Sequence, residues 1–267
     1  MSRRMGAGSL TNGPQTTMTS DTYTRQTLRD HLKNEHQISI FSSSIKEIVY
    51  GGNDGIVTTF AVIAGFTGAY SATSTTLDLS ILTVLLFGLA NLFADGSAMG
   101  LGSFLSLRAE KSVYQAFKEK ERHEIEHNPE MEKAETQEIL QGRGYSEEDA
   151  RSLTALLAKN SAYWLTFMMN DELELANPER ESAARNGLVT FLSFCLFGFV
   201  PLIPYLVFAE PSVAFLWSCV SALCALVTLG VVSGYASRRN WKVAVLETVA
   251  VGTTAGSVAF IVGLFFR

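Results

Sequence analysis

Cysteine is scarce in this chain and poorly placed for chemistry. Cys195, Cys219 and Cys224 all fall in long apolar runs, with no Cys-x-x-Cys spacing and no histidine nearby. That excludes a thiolate metal site and a disulfide framework, and it leaves three small hydrophobes buried in packed or lipid-facing helices. Basic charge is also short. Lys and Arg number 21 against 26 Asp and Glu, a net charge of −5, so the chain has no footprint for neutralising phosphates and nucleic acid is excluded as a partner. The first 40 residues, rich in Ser, Thr, Gly and Gln, lack the uninterrupted apolar core of a signal peptide. They are expected to form a disordered, uncleaved tail.

Apolar content is what the chain has in surplus. At 47% hydrophobic residues and a mean hydropathy of +0.18, it exceeds what a soluble domain of this size needs for its core. A bilayer asks for about 20 predominantly apolar residues per spanning helix. Four runs meet that cleanly, at about Leu79 to Leu107, Gly187 to Phe208, Val213 to Tyr235 and Val243 to Phe266. A fifth, about Ile45 to Tyr70, carries Glu47, Asn53, Asp54 and several glycines. Charges at such depth are costly unless they face a protein interior or a watery path. The expected fold is therefore an all-α membrane protein with five transmembrane helices and a helical insert between the second and third. The expected segments are a tail over 1–40, helices one and two over 41–107, the insert over 108–185, and helices three to five over 186–267.

Arg25, Arg29, Lys33 and Lys46 precede the first span, and Arg238, Arg239 and Lys242 lie between the fourth and fifth. The connections around Ser71 to Asp78 and at Glu210 and Pro211 carry no such residue. By the positive-inside rule, the N-terminus and the insert are cytosolic. In the insert, Pro129 can open a helix, Gly142 and Gly144 can close it, and Ser146 ahead of Glu147, Glu148 and Asp149 can start the next.

The insert also carries carboxylates at helical spacing: Glu121 with Glu124, Glu132 with Glu135, and Met168 with Glu172. Each pair lies on one helix face. Brought to a common centre, they offer oxygens for a divalent cation plus one thioether, which tilts preference towards Fe²⁺, Mn²⁺ or similar ions. On spacing alone, such pairs belong more often to a solvated charged face. Glu124 and His127 make a single Glu-x-x-His step, whereas a di-iron bundle uses two; His123 and His127 are expected to be solvated or to stand behind the ligands. In the membrane, Asp54 on the first span and Asn91, Asp95 and Met99 on one face of the second, with Glu47 nearer the cytosol, outline a stepwise path for a metal ion. Carboxylates on it can carry protons the other way.

The segments GGNDGIVTTFAVIAG, ADGSAMGLGSFLS, GRGYSEEDA, FMMNDELEL and PLIPY, in this order from about Ile45 to the end, resemble the vacuolar iron transporter family, proton-coupled exporters of Fe²⁺, and in some members Mn²⁺, from the cytosol. The resemblance implies that the insert's ligands are Glu121, Glu124, Glu132, Glu135, Met168 and Glu172. It further implies that Asp54 is an essential first-span carboxylate, that Met99 is a metal ligand on the second span, and that the path forms at a homodimer interface. The carried ion would be Fe²⁺, with Mn²⁺, Zn²⁺ and Co²⁺ suited to the same sites, and protons would move in exchange. The chain departs from the plant and fungal pattern in two places. No proline follows Asp54-Gly55, and Asn91 stands where an acidic residue is usual, with Asp95 a turn later. The membrane is accordingly that of a vacuole in a eukaryote or the plasma membrane in a prokaryote. The expected function is transport, with no catalytic residue; the alternative is a membrane-anchored iron binder or ferroxidase.

Overall fold

Long runs of Leu, Val, Ala and Phe with small residues between them favour the one backbone form that satisfies its polar groups without water or a partner strand. The computed structural model describes residues 40–70 and 81–265, and every regular element among them is helical. The tail up to residue 39 (with Arg25, Arg29 and Lys33), the connection over 71–80 and the last two residues lie outside the described set. The elements are α1 (Ile40–Tyr70), α2 (Ile81–His127), α3 (Pro129–Gly142), α4 (Glu147–Leu157), α5 (Ser161–Asp171), α6 (Ala183–Phe199), α7 (Ile203–Val207), α8 (Pro211–Ala236) and α9 (Trp241–Phe265), with short 3-10 turns at Pro178–Arg180 and Val200–Leu202. Ser44–Arg267 forms one compact unit.

Among the described residues, four stretches are long and apolar enough to cross a membrane: α2, the run Ala183–Val207 through α6 and α7, α8, and α9. Their outward faces are studded with exposed Leu, Val and Phe, as at Leu86, Leu196, Leu216 and Leu246. The polar helix α1 is treated differently. From Ser44 to Ala69 only Lys46 and Tyr50 are exposed. Ile63 packs with Val84 and Leu92 of α2 and Phe194 of α6, Ile56 with Ala225 and Leu229 of α8, and Phe60 closes on Gly256 of α9. The helix with charged and amide side chains thus runs inside a jacket formed by the apolar ones, which is where such groups cost least.

Close backbone approach makes this packing possible. A Cβ at Gly100 of α2 would lie 2.8 Å from the Gly187 carbonyl of α6, and one at Gly187 would lie 2.6 Å from the Gly100 carbonyl. Neither position accepts a side chain without the helices separating. The α6 run breaks at Pro201 and Pro204, which lack backbone donors and end the regular ladder. Hydroxyls of α8 meet carbonyls at this break: Ser218 Oγ donates to Pro201 O at 2.8 Å and Ser221 Oγ approaches Val200 O at 3.4 Å.

At 47 residues, α2 is about 70 Å long at ~1.5 Å per residue, more than twice a hydrocarbon core of about 30 Å. The expected boundary at Leu107 and Arg108 is a change of surface chemistry along an unbroken helix. The helix ends only at Asn128, before Pro129 opens α3 as expected. Gly144, at φ 103°, turns the chain out of α3, and Ser146 caps α4 by accepting from the Asp149 N–H at 3.1 Å. Helices α3 and α5 fold against the far half of α2, with α4 packed on α3 and α5, around a small core of Tyr114, Ile125, Trp164, Leu165, Met168 and Met169.

Candidate metal centre and membrane path

The far half of α2, α3 and the end of α5 bring three carboxylates together. Oxygens of Glu121, Glu132 and Glu172 all lie within 4.8 Å of one another. Glu121 and Glu132 are buried; Glu172, the residue that ends α5, is exposed to water. Burial first, then the hydrogen bond with Glu132 and the charges of Glu172, Glu132 and Glu124, push the Glu121 carboxyl up to about 8. Burial and the charges of Glu135 and Glu124 also raise Glu132, against the lowering effect of the bond from Glu121. Glu172 is raised by burial and then by Glu135, Glu132 and Glu124. Glu121 Oε1 and Glu132 Oε2 nevertheless have no hydrogen-bond partner. Buried carboxylate oxygens left this way are a strong cost, and a divalent cation relieves it by replacing the protons.

Sequence reasoning missed the residues that aim this cluster. Thr136, fully buried one turn after Glu132, donates its hydroxyl proton to the Glu132 carbonyl at 2.7 Å and accepts from Trp164 Nε1 at 2.8 Å. Its oxygen also lies 3.3 Å from Met168 Sδ. One side chain thereby ties α3 to α5 and fixes the buried thioether of Met168. The available signal was Thr136 at i+4 from Glu132. Of the other expected ligands, Glu124 and Glu135 surround the cluster electrostatically, and Glu124 pairs with Lys120 at 3.4 Å on the surface. His123 and His127 are exposed and stacked on each other, centroids 3.9 Å apart, so His127 completes no di-iron pattern with Glu124.

The expected membrane residues divide between two clefts. Asn53 and Asp54 line one of about 560 Å³ between α1, the end of α8 and the start of α9, with Glu247 and Thr248 opposite. Glu47 and Met99 line another of about 350 Å³ between α1, α2 and the start of α6. Lys46 and Tyr50 border both. Asp95 is half-buried on α2 within electrostatic reach of Asp54. Buried atoms without a hydrogen-bond partner recur along this route: Glu47 Oε2, Asn53 Oδ1 and Asn91 Nδ2. In a bundle whose other interior groups are mostly apolar, the Glu47 and Asn53 oxygens can accept from water or face a cation, and the Asn91 amide nitrogen can donate to water.

The VIT family profile matches residues 45–264, which takes in both clefts and the carboxylate cluster. Among curated relatives, a vacuolar iron transporter of Toxoplasma gondii is 37% identical over 249 residues, covering 90% of this chain and 79% of the relative. Vacuolar iron transporter 1 of Arabidopsis thaliana is 32% identical over 236 residues, covering 88% and 90%. A vacuolar iron transporter of Plasmodium falciparum is 30% identical over 233 residues, covering 84% and 82%. With the profile spanning both clefts and the cluster, and relatives aligned along most of their own length, the chain belongs to the VIT family.

Proposed function

We propose that this protein is a proton-coupled antiporter that moves Fe²⁺, and Mn²⁺ where it is available, out of the cytosol into a vacuole-like compartment. The observation that carries the reading is α1: a helix bearing Glu47, Asn53 and Asp54 is jacketed by four apolar helices, and a mere anchor has no use for such costly groups. The names of the relatives supply iron and the vacuole.

On this reading α1 is a fifth span. At 31 residues it is about 46 Å long at ~1.5 Å per residue, ample for the bilayer core. Residues 108–185 form a cytosolic metal-binding domain, and the N-terminus faces the same side. The clefts support that arrangement. Lys46 at the start of α1 shares one with Glu110 of α2 and Asn186 of α6, and the other with Ser237 after α8 and Ala244 of α9. The basic residues Lys46, Arg238, Arg239 and Lys242 therefore gather at the end from which the insert projects, as the positive-inside rule asks.

The insert would take up the ion on Glu121, Glu132 and Glu172, with Glu124, Glu135 and Met168 adjoining. Glu47, Met99, Asn91, Asp95 and Asp54 would pass it through the membrane, and the membrane carboxylates would return protons. The path is completed in a homodimer. The test is uptake of Fe²⁺, kept reduced, and separately of Mn²⁺, into proteoliposomes with and without an imposed pH gradient. Gradient-dependent flux supports antiport. Folded, oriented protein that binds the metal without flux would favour the anchored binder.

A further inference from the structure

The cleft between α1, α2 and α6 contains more than the expected path residues. Glu47 and Asn186 both line it, only 8% and 5% exposed, and Glu47 Oε2 and Asn186 Oδ1 have no hydrogen-bond partner. The orientation of Asn186 is fixed, because its Nδ2 donates to Glu181 Oε2 at 2.9 Å, leaving the amide oxygen as a free acceptor. Glu181 is itself held. Lys111 donates to the Glu179 and Glu181 carbonyls, Gln115 donates to the Glu179 carboxylate, and Lys118 pairs with it at 3.4 Å. The segment before α6 is thus strapped along α2. Three carboxylates, Glu47, Glu110 and Glu181, border the cleft against the single ammonium of Lys46, so the field favours a cation.

The position of the cleft follows from α2. Met99, Glu110 and Glu121 are eleven residues apart on one unbroken helix. Eleven residues are three turns to within about 20°, with a rise of about 16 Å per step. One face of α2 therefore presents the carboxylate cluster, then the mouth of the cleft, then its thioether.

We propose that this cleft is a staging site, in which a partly hydrated divalent cation is held by the Glu47 carboxylate and the Asn186 amide oxygen between the insert and the membrane path. Glu181 is a positioning residue that sets the Asn186 amide. The inference rests on the transport reading above, and it adds a binding station on α6 that neither the motifs nor the carboxylate spacing indicated.

The test uses the full chain in detergent, with Mn²⁺ alone as the probe and its paramagnetic resonance as the readout. Glu121→Gln, Glu132→Gln, Glu172→Gln, Asp54→Asn and Asp95→Asn together disable the carboxylate cluster and the Asp54 cleft. In that background the chain should still bind Mn²⁺, and adding Glu47→Gln or Asn186→Leu should weaken binding by about tenfold or more. Glu181→Gln, whose amide oxygen can still accept from Asn186 Nδ2, should preserve it, and unchanged thermal unfolding of Asn186→Leu separates loss of a ligand from loss of the fold. No Mn²⁺ binding in the silenced background, or equal affinity with and without Asn186→Leu in monodisperse protein, would overturn the site. Failure of the wild type to transport Mn²⁺ would instead count against the transport reading, because Mn²⁺ held in the cleft is scored without any flux.

Discussion

Glu121 holds a proton at neutral pH that a water-exposed glutamate would have released, since its own burial and then the carboxylates beside it lift it from the ordinary 4.5 to about 8. A carboxyl raised in the fold binds its proton more tightly folded than unfolded. The metal-free protein is therefore expected to be most stable in acid and to lose stability as pH rises from about 4.5 towards 8. Thermal unfolding in chelator across that range checks this, and Glu121→Gln should flatten the dependence. Metal has to displace the same proton, so Mn²⁺ affinity should fall as pH drops below about 8, with protons released on binding; calorimetry in buffers of different ionisation enthalpy measures the release. A third expectation concerns Thr136. Replacing it with Val leaves Trp164 Nε1 without its buried acceptor, which should cost about 1–3 kcal/mol of stability and, by loosening α3 against α5, about tenfold in metal affinity. That Glu121, Glu132 and Glu172 come together was suggested by the family likeness, since spacing alone favoured a solvated face. Thr136, Glu181 and Asn186 were not, because their role depends on what lies across from them in space.

At the scale of the elements, the helices were read from apolar runs with ends close to those observed, since hydrocarbon thickness and backbone satisfaction leave few alternatives. Two features escaped that reading. The composition changes after Leu107, but nothing there stops a helix, so α2 continues to His127. The interruption of the third apolar run depends on Pro201 and Pro204 together with Ser218 of α8, which accommodates it. The Gly100 and Gly187 contact gives a further prediction. A methyl at Gly100 would meet the Gly187 carbonyl at 2.8 Å and Phe191 Cβ at 2.9 Å, so Gly100→Ala should destabilise the bundle by about 1–3 kcal/mol. Thermal shift of the detergent-solubilised protein would record it, with metal binding by the insert retained in the surviving folded fraction.

For the whole molecule, the polar helix at the centre and the acidic cluster at the end of α2 belong to one arrangement. A 47-residue helix carries both Met99 and Glu121 of the carboxylate cluster, so on the proposed reading an ion taken up by the insert has a continuous scaffold towards Met99 and Asp54. The sequence proposed residues for both ends of that route; their division between two clefts emerges only once α6, α8 and α9 are packed around α1. The measurement that tests the antiporter account most directly is lumenal pH, recorded together with Mn²⁺ uptake in proteoliposomes with the insert facing outward. The account predicts that external Mn²⁺ makes the lumen more alkaline as the metal enters, and that Asp54→Ala abolishes both signals while Mn²⁺ binding to the insert persists. Metal uptake with no proton movement, or both signals undiminished in Asp54→Ala, would contradict it.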